Sequence, residues 1–215
     1  MEGSLLNIKD EKLISIIRLQ SCSDYEIIKT VNALMEGGIY IVEITMNTPN
    51  AFHAINLLSK QFPQLTIGAG TVMDETMAIK AIDAGANFLL TPNLHEPTIN
   101  IANSYNVSTI PGVFTTSEIV QASKYGIDIV KVFPISTVGS KYIIDLKGLL
   151  HHINFIPVGG VTLQNARELL EAGSFALGIG SSIVNDSLIQ EGNFSEIKSR
   201  AKQFSEIVNT FSGGR

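Results

Sequence analysis

The stretch LTIGAGTVMDETMAIKAIDAGANFLLT, residues 65–91, decides the fold. It opens on a short apolar run, LTIGAG (65–70). A polar turn follows, then DETMAIKAIDAGA (74–86), which begins on Asp74, a good N-cap, and closes on Ala84-Gly85, where a left-handed glycine ends a helix. A second apolar run, NFLLT (87–91), comes next. Strand, turn, helix, glycine stop and strand make one complete βα unit.

Working outward, the same order recurs. The runs LISIIR (13–18), IYIVEIT (39–45), VSTIPG (107–112), IDIVKVF (127–133), NFIPVGG (154–160) and FALGIG (175–180) bring the strands to eight, spaced by about 20 to 27 residues. TVNALMEGG (30–38) and TLQNARELLEAGS (162–174) read as further helices, the second starting at Thr162, and each ends at glycine. The runs are apolar nearly throughout, as parallel strands covered on both faces must be. Eight consecutive units, with no GxGxxG turn after the first strand, predict an α/β chain folded as a single domain over residues 1–215. The expected architecture is a (β/α)8 TIM barrel whose eight parallel strands close on themselves.

Composition agrees with a large interior. Charged residues are 16% of the 215, against about 25% in an ordinary soluble domain, and hydrophobic residues are 45%. Either the core is large for the length or subunits associate. The net charge of −5 leaves no basic footprint for nucleic acid. No run approaches the ~20 apolar residues of a membrane span. The segment MEGSLLNIKDEK has acidic residues and no apolar signal core, which together with a single cysteine, Cys22, leads us to expect a cytoplasmic protein.

In such a barrel the chemistry sits at the C-terminal ends of the strands. Strand alternation puts Ile14, Ile16 and Arg18 on one face, Ile41, Glu43 and Thr45 on another, and likewise Ile67, Ala69 and Thr71, and Ile127, Ile129, Lys131 and Phe133. Each set turns polar towards its end, so Arg18, Glu43, Thr71 and Lys131 should converge at the mouth. Alone among the lysines, Lys131 stands in a β-branched strand. Desolvation there should leave a neutral, nucleophilic amine. Glu43 is the only acid inside a strongly apolar strand and could move protons beside that amine. The bland alternative for both is a buried structural ion pair. Two glycine-rich turns, Pro157-Val158-Gly159-Gly160-Val161 and Gly178-Ile179-Gly180-Ser181-Ser182, follow the last two strands, where this fold often binds phosphate through backbone N–H groups; the bland alternative is two tight turns. His53, His95, His151 and His152 have no metal-binding spacing; the adjacent pair should point apart, and no metal is expected.

Taken together, Val42-Glu43-Ile44-Thr45, Gly68-Ala69-Gly70-Thr71-Val72, Thr91-Pro92-Asn93, Pro111-Gly112-Val113, Lys131-Val132-Phe133-Pro134, Gly159-Gly160-Val161 and Gly180-Ser181-Ser182 resemble the KDPG/KHG aldolases. These are class I enzymes acting on 2-keto-3-deoxy-6-phospho-sugar acids, and the matching segments span nearly the whole chain. The resemblance implies Lys131 as the Schiff-base lysine and Glu43 as the proton-transfer carboxylate. It further implies Thr71 at the pyruvyl carboxylate, Arg18 as a substrate-binding arginine, Pro92 and Phe133 as pocket walls, and Gly159, Gly160, Ser181 and Ser182 around the phosphate. It also implies no cofactor beyond the covalent substrate adduct, pyruvate and a phosphorylated keto-sugar acid as the small-molecule partners, and a cytoplasmic homotrimer. One departure stands out. Where the best-known KDPG aldolases carry arginine four residues after the catalytic glutamate, this chain has Asn47. In that respect it is more like the 6-phosphogalactonate branch. The change also argues against 4-hydroxy-2-oxoglutarate, a further candidate substrate whose distal carboxylate would gain from a nearby cation. The rival functions are a phosphate-binding barrel epimerase or isomerase and a non-catalytic sugar-phosphate-binding barrel.

Overall fold

The computed structural model of the chain describes residues 3–211. Its strands are β1 (Leu13–Ile17), β2 (Ile41–Thr45), β3 (Thr66–Gly70), β4 (Phe88–Leu90), β5 (Ser108–Ile110), β6 (Gly112–Val113), β7 (Ile129–Val132), β8 (Asn154–Pro157) and β9 (Leu177–Ile179). Every paired strand is parallel to its neighbour. Helices alternate with them: α1 (Gly3–Glu11), α2 (Asp24–Glu36), α3 (Ala51–Gln61), α4 (Glu75–Asp83), α5 (Glu96–Ser104), α6 (Thr116–Lys124), α7 (Gly139–Leu149), α8 (Ala166–Glu171), α9 (Asp186–Gln190) and α10 (Phe194–Asn209).

Local chemistry accounts for the helix ends. Ser23 and Thr115 each close a capping box with a glutamate three residues on, Glu26 and Glu118. Asp74 accepts the Met77 N–H at 2.7 Å. Gly38, Gly85 and Gly173 take left-handed conformations at the stops. The helix expected to start at Thr162 starts later, at Ala166. Asn165 is the cause: its side chain accepts from Thr162 N–H and donates to Gly160 O, holding a turn where the helix would begin. Helix α1 has no counterpart in the sequence reading. Its Ile8 is fully buried and joins the core that the strands enclose.

The expected closed eight-stranded barrel is not what forms. The strands fall into two sheets, one of six in the order β5-β4-β3-β2-β1-β9 and one of three in the order β6-β7-β8. The run at 107–112 is cut at Pro111, which has no N–H to give a ladder. The Pro111 carbonyl accepts the Lys131 N–H, while the Gly112 N–H turns back to Thr91 O. The chain therefore leaves one sheet and enters the other at this proline. On the far side, β8 ends at Pro157, and a single bridge, Val158 to Gly178, meets β9. A side chain at 178 would collide with Val158, 2.6 Å away.

Both faces of the strands are nonetheless covered, and this is where the missing charge goes. An inner cluster is built from Ile14, Ile16, Ile41, Phe88, Leu90, Ile110, Ile129 and Ile156, with Val158 and Ala176. A larger outer cluster packs the opposite faces against the helices. On β3 the faces are the reverse of those expected. Ile67 and Ala69 belong to the outer cluster, and Gly68 faces inward, where a Cβ would strike the Phe88 ring at 2.3 Å. No helix of the described residues is long and apolar enough to cross a membrane.

Candidate active site

Because every strand runs the same way, their C-terminal ends share one edge. Arg18 follows β1, Thr71 follows β3, Pro92 lies just beyond β4, Phe133 follows β7, Gly159 and Gly160 follow β8, and Ser181 and Ser182 follow β9. A cleft of about 240 Å³ opens there, lined by Arg18, Phe133, Gly159, Gly160, Ser181 and Ser182. Lys131 and Glu43 lie below it in their strands, 5% and 1% exposed.

Lys131 and Glu43 are the unusual pair. Burial pushes the Lys131 ammonium below its ordinary value, helped by the Arg18 charge and opposed by Glu43. Burial holds the Glu43 carboxyl above its ordinary value, against the pull of Lys131 and Arg18. Both groups are thus driven towards their neutral forms. Among the described residues no ion pair joins them, and Glu43 Oε2 is buried without a hydrogen-bond partner. An orphaned buried oxygen of this kind costs about 1–3 kcal/mol. The Lys131 Nζ sits 5.3 Å from the centre of the Phe133 ring, so one residue touches both the amine and the cleft.

The two glycine turns form one wall. Gly159 and Gly160 have φ of +83° and +93°. A Cβ would come within 2.8 Å of the Phe133 ring at 159 and 2.5 Å of Ser136 at 160, so space and conformation both require glycine. Ser182 Oγ donates to Val161 O at 2.6 Å, lacing the two turns together. Among the described residues, the backbone N–H groups of Gly160, Ser181 and Ser182 have no backbone acceptor. Three free donors on one wall suit an anion.

The remaining sequence candidates stand further out. Thr71 has a φ of +58°, a left-handed conformation rare for a β-branched residue. It is half-buried between two anchored peptides: Gly70 O accepts the Met46 N–H, and the Val72 N–H goes to Leu90 O. It thus lies at the strand-end edge through a backbone kink, not through strand alternation. Pro92 is exposed, with its carbonyl against Gly112, the residue paired in register with Lys131. Asn47 is exposed on the turn between β2 and α3 and does not line the cleft. Asn185 and Asp186, which do line it, escaped the sequence reading. Their only signal was an N-cap pattern before a short helix, where Asn185 accepts the Leu188 N–H.

Other reactive groups lie elsewhere. Cys22 is half-buried near Glu26, Asp24 and Asp186, and burial with those charges pushes its thiol up to about 11, so it is protonated and a poor nucleophile. His53 contacts Asp24, and His95 contacts Thr98. His151 and His152 meet edge-to-face instead of pointing apart, because they sit in a turn and not in a strand or helix. Among the described residues no group of three or more His, Cys, Asp or Glu side chains could hold a metal ion.

The chain resembles known proteins in sequence and in fold. The chain is 33% identical over 172 residues to the 2-dehydro-3-deoxy-phosphogluconate aldolase of Dickeya dadantii, covering 80% of this chain and 81% of that one. Its fold superposes with a TM-score of 0.87 on the KDPG aldolase of Legionella pneumophila solved with pyruvate captured as a covalent carbinolamine. The match there is at 27% identity and covers 94% and 97% of the two chains. A native KDPGal structure matches with a TM-score of 0.84 at 29% identity, over 92% and 94% of the chains. The family model for KDPG and KHG aldolases matches residues 6–200, nearly the whole described fold. A buried lysine and glutamate below a glycine-walled cleft thus occur in a chain that belongs to the KDPG and KHG aldolase family of lyases.

Proposed function

We propose that the chain is a class I aldolase. It cleaves a 2-keto-3-deoxy-6-phospho-sugar acid, of the 6-phosphogluconate or 6-phosphogalactonate type, to pyruvate and glyceraldehyde 3-phosphate through a Schiff base on Lys131. The observation that carries this proposal is the Lys131–Glu43 pair, an amine whose burial favours its neutral form beside a carboxyl whose burial favours protonation. The Legionella relative captured with covalent pyruvate supports the same chemistry.

Neutral Lys131 attacks the C2 ketone to give a carbinolamine. Glu43 donates its proton to the departing hydroxyl, water leaves, and a protonated Schiff base remains. The carboxylate so formed then takes the C4 hydroxyl proton, directly or through a water. The C3–C4 bond breaks, its electron pair moves into the iminium, and glyceraldehyde 3-phosphate departs from a pyruvate enamine. Protonation at C3 and hydrolysis release pyruvate and restore the amine. The iminium is the electron sink. Arg18 and the free N–H groups of the glycine wall bind the anionic ends of the substrate, Thr71 takes the pyruvyl carboxylate, and Phe133 and Pro92 wall the pocket. We also propose a homotrimer, on the family resemblance, to be checked by sedimentation.

Borohydride reduction in the presence of pyruvate tests the chemistry. Mass spectrometry should find one pyruvyl adduct, on Lys131. An unmodified protein, or an adduct on another lysine, would refute the mechanism.

A further inference from the structure

Arg18 lines the cleft, yet among the described residues no ion pair restrains its side chain. The β1–β2 ladder ends at Ile17 opposite Ile44, so Arg18 is the first residue past it. The peptides on either side are held all the same. Thr45 Oγ1 donates to Ile17 O at 3.3 Å. Thr48 Oγ1 lies 3.2 Å from Thr45 Oγ1 and 3.5 Å from Ile17 O, and accepts the Leu19 N–H at 3.3 Å. The next amide, that of Gln20, donates to Asp186 Oδ1 at 2.8 Å. The carbonyl before Arg18 and the amide after it are thus tied to one linked pair of hydroxyls at the end of β2.

Both threonines are buried. Valine would fill the same space without a polar atom, and a buried hydroxyl is tolerated only when it is hydrogen-bonded. Here the hydroxyls are spent on the two peptides that carry Arg18. A side chain with no restraint of its own takes its position from its backbone, and displacements near 1 Å at a substrate contact are costly.

We propose that Thr45 and Thr48 are positioning residues, a two-hydroxyl clamp that extends the β1–β2 pairing by side chains and fixes Arg18 for the anionic substrate. This rests on Arg18 being a substrate-binding residue, as proposed above. Thr48 has the more exacting part, because it alone reaches the Leu19 amide.

The test is a double-mutant cycle read by steady-state cleavage of a phosphorylated keto-sugar acid. Thr48→Val should raise KM about tenfold, the scale of one lost hydrogen bond, with kcat within about twofold of the parent. Thr48→Ser keeps the hydroxyl and should recover most of the affinity. In an Arg18→Ala background, Thr48→Val should add less than about a twofold effect, because the group it positions is gone. An undiminished penalty in that background, a loss confined to kcat, or no recovery with serine would overturn the clamp. If Arg18→Ala itself leaves KM unchanged, the substrate role of Arg18 fails and the clamp with it. Borohydride trapping on Lys131 still reports separately on the aldolase chemistry. Should Thr48→Val fail to fold, Thr48→Ala removes the same hydroxyl and enters the same cycle.

Discussion

The carboxylate of Glu43 occupies the space that a side chain on Gly70 would fill. A Cβ at position 70 would lie 1.5 Å from Glu43 Oε1 and 2.3 Å from its Cδ. The two residues stand on adjacent strands, with Glu43 opposite Gly68 and Gly70 opposite Thr45. The missing side chain is therefore the seat of the Glu43 carboxyl.

Gly70→Ala must displace that carboxyl, since the backbone of a central strand cannot retreat. We expect kcat/KM to fall by at least about 100-fold, with overpacking costing about 1–3 kcal/mol of stability. Kinetics beside thermal melting would check this, and near-parental turnover would show that Glu43 need not sit there.

Glu43→Gln retains shape and removes the titrating proton. Turnover should fall roughly 10²- to 10⁴-fold, the range for a lost general acid–base, while pyruvate still binds. A variant with near-parental kcat would remove Glu43 from proton transfer.

The buried pair should also cost stability, and the pH dependence has a definite sign. Unfolded, Glu43 loses its proton above the ordinary 4.5, whereas folded it holds on. The folded state then binds more protons, so the parent loses stability relative to Glu43→Gln as pH rises from 4.5 through the raised folded value. Lys131 is the opposite case. Its folded value lies below the ordinary 10.5, so between the two the unfolded state binds more protons. Relative to the parent, Lys131→Met should accordingly lose ground as pH climbs towards 10.5, because the parent then sheds the penalty of its buried amine. Urea denaturation across pH would measure both trends.

Thr71 holds a left-handed backbone conformation, which costs an L-residue about 1–2 kcal/mol. Thr71→Gly should therefore gain up to about 1 kcal/mol of stability while losing affinity for the keto acid. Denaturation and KM values measured on one preparation would test the pairing of gain with loss.

Asn47 stands where the best-known relatives carry arginine. If that position reports the branch, the galactonate-derived substrate should be cleaved at least as well as the gluconate-derived one in a coupled assay for pyruvate. A strong preference for the gluconate compound would sink the inference.

Much of this was legible in one dimension. The βα alternation shows at 65–91 because parallel strands must be apolar on both faces and helices must stop before each strand. Asp74 announces a helix start, since a cap acts within four residues. Lys131 and Glu43 stand out because a charge in such a strand is costly wherever it lies. The helix α1 carried too weak a pattern to be read, although Ile8 seals the inner core.

What the sequence by itself determined, then, was the parallel α/β grammar, the strand-end location of the polar residues and the lysine–glutamate pair. Each follows from local propensity or from the cost of burying charge. Only the tertiary structure decided how the sheet closes and which face of each strand points inward. The break at Pro111 ends a ladder, but whether the chain continues in the same sheet depends on partners such as Thr91 and Lys131, far off in sequence. The face of β3 was misread because its inward residues include Gly68 and Gly70, which have no side chain to register as apolar, while Ile67 and Ala69 point to the helices. Where both faces are buried, hydropathy has no period. The inside is then set by what fits against it, here the Phe88 ring at Gly68 and the Glu43 carboxylate at Gly70.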